Sequence, residues 1–252
     1  MGVVFEAVDE EAGHPVAIKV LHPELSPDAA VRRRFRRESQ VLRNLDHPSI
    51  VRQHDVGEDG HGRLYLVMEL LAGETLRARF EREAPLSARA LLPFVEGIAA
   101  GLSAAHAQGF IHGDLTPANV FLTPDGGVKL LDFGLSKVLG LERLTRTGEV
   151  IGTPAYLAPE LLTGKGDVDQ RIDTYALGVL LYQGLAGRPP FVGRHPGKLM
   201  MDVVMGDAPR LTDLVAVPAA VASVVARAMH RKASERFGSA AALLEAFREA
   251  AS

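Results

Sequence analysis

Two carboxylates and one carboxamide stand at a spacing suited to holding a Mg²⁺-nucleotide and orienting an attacking hydroxyl. Asp114 and Asn119 lie within His112-Gly113-Asp114-Leu115-Thr116-Pro117-Ala118-Asn119, and Asp132 opens Asp132-Phe133-Gly134, thirteen residues after Asn119. Hard oxygen donors of this kind suit Mg²⁺, which keeps waters and phosphate oxygens in its shell. A second chemical element precedes them: Val16-Ala17-Ile18-Lys19 puts a cation in a β-branched run. A third follows, Ala158-Pro159-Glu160. Singly these are ordinary features: an edge-strand lysine, a turn after a strand, a helix start with proline near its first position. Their order along one chain is what carries weight.

Elements must exist to bring these groups together. Residues 3–8 and 15–21 read as strands around a polar connection, and 63–71 as a third, with Leu64, Leu66 and Met68 alternating. A helix is predicted over 28–45. Its residues Val31, Phe35, Glu38, Leu42 and Leu45 share one face. A carboxylate in an apolar stripe needs a partner, and Lys19 on a neighbouring strand would serve. The arginines at 32–34 and 36–37 read as a solvated face. Beyond Gly73 the chain turns helical. Helices are expected over 88–108, 171–186, 197–205, 218–230 and 239–250, and short strands over 120–122 and 128–131. A β-rich part followed by a helical part implies an α+β fold with two lobes and a cleft between them.

Composition bounds the rest. The chain has 252 residues, 47% of them hydrophobic and 23% charged, enough for one large core or two small lobes. A net charge of −3 gives no electrostatic case for nucleic acid. There is no cysteine, which excludes disulfides, thiolate catalysis and Cys-based zinc sites and suits a reducing cytoplasm. The apolar-leaning stretches 176–181 and 214–226 are too short or interrupted to span a bilayer, which takes about 20 apolar residues.

Taken together, the motifs resemble those of bacterial eukaryotic-like (Hanks-type) serine/threonine protein kinases, over nearly the whole chain. The resemblance implies a kinase domain over 1–252, with an N-lobe at 1–71 and a C-lobe at 72–252. It implies ATP and Mg²⁺ as cofactors, protein Ser/Thr hydroxyls as substrates and self-association for trans-autophosphorylation. Lys19 corresponds to the lysine that contacts phosphates, and Glu38 to its ion-pair partner. Gly2, Val4 and Ala17 fall where the nucleotide is covered, Met68 at the gatekeeper, and Glu69, Leu70 and Leu71 at the adenine-binding hinge. Asp114 corresponds to the catalytic base, and Asn119 and Asp132 to the Mg²⁺ ligands. Thr153, in Gly152–Glu160, would contact Asp114, and Thr145 and Thr147 sit where such kinases autophosphorylate. Asp173 resembles an anchor of the catalytic loop, and Arg236 the partner of Glu160.

The sequence departs from the family pattern in three places. Only Gly2 remains of the glycine-rich loop, and the strand before it is missing, which predicts weaker nucleotide binding and an exposed strand edge. Gly113 replaces an arginine that reads activation-loop phosphate. Thr116 replaces a lysine that contacts the γ-phosphate. Two other readings follow from these features: a pseudokinase that binds nucleotide or a partner, and an aminoglycoside-type phosphotransferase of the same fold.

Overall fold

A computed structural model describes residues 2–22, 33, 35, 39, 43, 45–133, 154–164, 168–193 and 195–252. Strands β1 (Gly2–Val8), β2 (Pro15–Leu21), β3 (Gln53–Glu58) and β4 (Leu64–Glu69) form an antiparallel sheet in the order β1-β2-β4-β3. The register sets Val4 against Lys19, and Lys19 against Leu66. β1 forms an edge of the sheet, with Val3, Val4, Phe5 and Val8 exposed. β3 is an element that apolar alternation does not announce. Its sequence is Gln-His-Asp-Val-Gly-Glu, and it is a strand because it completes a ladder with β4, with a bulge between Gln53 and Asp55.

Of the helix expected over 28–45, Arg33, Phe35 and Ser39 are described, and all three are helical. Phe35 is fully buried and packs with Leu21, Leu64 and Leu66 under the sheet. Val31, Glu38 and Leu42 of the expected stripe lie outside the described residues.

The helical part begins with β5 (Glu74–Thr75) and α1 (Leu76–Glu83), neither foreseen in the sequence. The Thr75 hydroxyl accepts from Ala78 N–H at the N-cap, and Leu76 and Phe80, one turn apart, are buried. An eight-residue helix holds too few turns for its periodicity to stand out. Next comes α2 (Ala88–Ala107), capped by the Ser87 hydroxyl and ended at Gln108 and Gly109, the latter at φ +78°. With 20 residues it is apolar and long enough to cross a membrane, a property the sequence reading did not assign to it. Here Leu91, Val95, Ile98 and Leu102 belong to the main core. Two glycines let α2 touch the small sheet of β5, β6 (Val120–Leu122) and β7 (Val128–Leu130). A Cβ on Gly97 would lie 2.5 Å from Val128 Cβ, and one on Gly101 2.8 Å from Leu130 Cδ1. Close packing of α2 on β7 therefore sets where the chain enters Asp132.

The remaining helices are α3 (Pro159–Thr163), α4 (Arg171–Ala186), α5 (Pro196–Met205), α6 (Ala219–Ala228) and α7 (Ala240–Ala251). α4 is buried on nearly every face and forms the centre of the core. α5, α6 and α7 bury one stripe each, as amphipathic helices do. The fold is α+β: a small antiparallel sheet followed by a helical lobe.

Candidate active site

The loop between α2 and the 3₁₀ turn Pro117–Asn119 carries the first group of site residues. It has no regular hydrogen-bond ladder, so other groups must hold its backbone. Asp173, in the first turn of α4, does so. Its carboxylate accepts from His112 N–H at 2.9 Å and Gly113 N–H at 2.8 Å. A third contact, His106 Nε2 at 2.7 Å, completes it. Asp173 is 1% exposed, and this set of partners is what makes such burial tolerable. Gly113 sits at φ +71°, a conformation that side-chain-bearing residues avoid.

His112 ties this loop to the chain entering Asp132. Its Nε2 lies 2.9 Å from the Leu131 carbonyl and Nδ1 lies 3.3 Å from Asp114 N. A carbonyl can only accept, so Nε2 carries the proton and Nδ1 is the acceptor. The ring is fully buried beside Phe133, at 4.5 Å between centroids. Burial pushes its pKa below the usual histidine range, which suits a neutral ring.

Asn119 Nδ2 donates to the Asp114 carbonyl at 2.8 Å and to Asp114 Oδ2 at 3.2 Å. Its amide oxygen makes no hydrogen bond among the described residues and is available to a cation. Asp132 sits at φ +61° just beyond β7, and its Oδ2 forms an ion pair with Lys19 Nζ from β2. The Asp114 carboxyl is pushed up to about 6, first by burial and then by the negative charge of Asp132; Asn119 and Lys19 pull the other way. Lys19, Asp114, Asn119 and Asp132 thus converge from β2, the loop after α2 and the end of β7. Among the described residues no group of three or more His, Asp or Glu side chains forms a metal cage. The oxygen donors that are present, Asp132 and Asn119, fit a metal that draws the rest of its shell from phosphate and water.

The other residues singled out in the sequence lie on β1, β2 and β4, just after β4 and in the loop after α2. Ala17 is buried and faces Met68 across the β2–β4 ladder. Gly2 and Val4 lie on β1, and Leu71 follows β4. The Glu69 N–H is taken by the Arg52 carbonyl at 3.0 Å. Its carboxylate accepts from Arg52 N–H at 2.7 Å and from Lys129 Nζ at 2.6 Å. Thr116 is buried, and its carbonyl accepts from Asn119 N–H at 3.0 Å. Glu38, Thr145, Thr147 and Thr153 lie outside the described residues. Sequence reasoning missed His106 and Lys129. Their partners lie 67 and 60 residues away, and no local pattern marks them.

Further down the chain, Arg236 grips Glu160 through two bonds of 2.7 and 2.8 Å. Its guanidinium also bonds the His230, Arg171 and Arg231 carbonyls. This clamp holds the start of α3 against the core.

The family model for the protein kinase domain matches residues 1–247. The chain belongs to the protein kinase family. Its relatives are bacterial serine/threonine kinases of the Hanks type. The chain is 44% identical over 197 residues to the serine/threonine-protein kinase PknA of Mycobacterium tuberculosis, covering 77% of this chain and 46% of that protein. It is 35% identical over 250 residues to PknL of the same species, covering 98% of this chain and 62% of that protein. The chain therefore spans about half the length of the curated relatives it matches. The crystal structure of the M. tuberculosis PknI kinase domain superposes with a TM-score of 0.81 at 33% identity, covering 100% of this chain and 91% of that one. The kinase-family chain keeps Lys19, Asp114, Asn119 and Asp132 together although Gly113 and Thr116 depart from the family pattern.

Proposed function

We propose that this kinase domain transfers the γ-phosphoryl group of MgATP to serine or threonine hydroxyls of proteins. The observation that carries the reading is the convergence of Lys19, Asp114, Asn119 and Asp132 at one place in the fold. Relatives named as serine/threonine-protein kinases support a protein substrate over a small-molecule one.

In this reading the lobes divide at 71/72, and the nucleotide lies between them against Gly2, Val4, Ala17, Met68, Glu69 and Leu71. Lys19 positions phosphate oxygens, braced by Glu38. Asp132 and the free oxygen of Asn119 hold Mg²⁺, which when bound neutralises charge on the phosphates. Asp114 orients the substrate hydroxyl and accepts its proton as the oxygen bonds to the γ-phosphorus and the bond to the leaving ADP oxygen breaks. Little covalent work falls to the protein, so positioning and electrostatics supply most of the catalysis. Thr145 and Thr147 receive phosphate in trans from a second copy. The domain acts in the cytoplasm.

The test is radiolabel transfer from ATP to a generic basic protein by the wild type and by Asp114→Asn and Asp132→Asn. Transfer by the wild type alone supports the reading. Equal transfer by all forms would overturn the site, and none by any form would favour a nucleotide-binding pseudokinase.

A further inference from the structure

A cavity of about 710 Å³ opens between α4, α5 and α6, and none of its walls belongs to the site just described. Its volume falls within the rough 300–1,000 Å³ range of small-molecule pockets. The floor is apolar: Val203, Leu211 and Val225 are all buried. The rim is basic. Arg210, Arg231 and Lys232 are exposed around it, with Asp207 the rim's acidic residue. Asp207 is ion-paired with Arg231, while Arg210 and Lys232 have no ion-pair partner among the described residues.

Tyr175 supplies a second, independent observation. It lines the cavity and is 2% exposed, yet its hydroxyl forms no hydrogen bond among the described residues. Among the described residues only Gln53 Nε2 is both sealed from solvent and unpaired, so the Tyr175 hydroxyl, whose charged neighbours are Arg236 and Glu160, is not fully sealed. A nearly buried hydroxyl without a partner calls for an acceptor. Its position relative to the rim follows from Arg236. That guanidinium lies 4.9 Å over the Tyr175 ring and bonds the His230 and Arg231 carbonyls at 2.6 and 3.1 Å. Tyr175 therefore stands at the end of the cavity formed by residues 230–232.

We propose that this cavity binds a small apolar carboxylic acid. The carboxylate accepts from the Tyr175 hydroxyl and faces Lys232, and the hydrocarbon chain lies on Val203, Leu211 and Val225. A charged acceptor suits both the donor and the cationic rim, and the chain removes apolar wall from water. The site makes no use of ATP, so its test is independent of the phosphoryl-transfer reading.

The probe is decanoate, titrated by calorimetry into the whole chain without nucleotide, with decanol as the uncharged control. Saturable binding of decanoate, at least tenfold tighter than decanol, is expected, since burying the chain is common to both and the charge-assisted bonds are not. Lys232→Glu lies on the surface and is expected to weaken decanoate about tenfold or more while leaving the melting temperature unchanged. Tyr175→Phe is expected to weaken it severalfold, and Ala222→Trp, which fills the cavity, to abolish it. If Ala222→Trp does not fold, the Lys232→Glu and Tyr175→Phe results decide. Equal binding of decanol and decanoate, no effect of Lys232→Glu, or no saturable binding would each overturn the proposal. Displacement of decanoate by poly-glutamate would reassign the face to an acidic protein segment.

Discussion

Lys129 and Glu69 meet at 2.6 Å across the boundary between the two parts of the fold. Lys129 lies on β7, which leads to Asp132, and Glu69 ends β4. The same Glu69 oxygen accepts from Arg52 N–H at 2.7 Å. β7, which leads to Asp132, and β4, which ends at Glu69, are therefore tied by one half-buried carboxylate. Lys129→Met is expected to raise KM for ATP severalfold with a smaller fall in kcat, and to cost about 1 kcal/mol of stability, between surface and buried ion pairs. Lys129→Arg is expected to retain most of both. Steady-state kinetics at varied ATP checks this; a fall in kcat with unchanged KM would place the effect elsewhere.

Asp132→Asn is expected to leave the fold intact and to lower Mg²⁺-dependent turnover by roughly a thousandfold, on the order of 4 kcal/mol of lost transition-state stabilisation. Asn tolerates the left-handed backbone that Asp132 adopts at φ +61°. Asp132→Ala lacks that tolerance and is expected to lose about 1 kcal/mol more of stability. Urea denaturation of the two variants separates metal loss from backbone strain.

Two titrations near the site have opposite signs. The folded pKa of Asp114 is raised to about 6 from 3.8, so its contribution to stability is present below 3.8 and lost as pH rises through about 6. In the metal-free protein, Asp114→Asn is therefore expected to be more stable than wild type near pH 8, by about 1–3 kcal/mol, with the gap closing near pH 4. The His112 pKa is depressed, so its contribution is present above 6.5 and is lost as pH falls below that value. Urea midpoints of wild type, Asp114→Asn and a His112→Phe variant across this range test both signs. A stability of Asp114→Asn that follows wild type at every pH would contradict the assignment of the raised carboxyl.

Because Gly113 carries no cation, phosphorylation of Thr145 and Thr147 is expected to change activity only modestly. The Thr145→Ala/Thr147→Ala double variant should lose less than about a hundredfold, roughly 3 kcal/mol. Gly113→Arg places a side chain at φ +71°, with an expected stability loss of about 1–2 kcal/mol. It also supplies a guanidinium for phosphate. The threonine effect is then expected to grow in that background. Kinetics of the four forms, with phosphosite mapping, gives the coupling. A hundredfold loss with Gly113 in place would mean that another basic residue reads the phosphate.

Arg236→Ala is expected to be severely destabilising, by about 3–5 kcal/mol, because Glu160, its side chain 10% exposed, would be left mostly out of water without its partner. Arg236→Lys is not expected to rescue it. The guanidinium bonds both Glu160 oxygens and three backbone carbonyls, more than an ammonium can reach. Thermal melts of both variants check this ordering.

Much of this protein was legible in its residues alone. The spans of β2, β6 and α4 follow from β-branched runs, turn residues and apolar periodicity, all of which act between neighbours in the chain. The motif residues Lys19, Asp114, Asn119 and Asp132 were legible through their order. β3 and α1 were not. β3 has little alternation of its own and exists because β4 offers it a ladder, and α1 is too short to show a pattern. Tertiary structure alone decided that Lys19 meets Asp132 across 113 residues, that His106 backs Asp173, and that Gly113 needs a positive φ. It also decided that Tyr175 opens on a cavity between three helices. The physical reason is the same in each case. Local propensity and periodicity are properties of the chain, whereas an ion pair, a strained dihedral or a cavity depends on where the packing of distant segments leaves each atom.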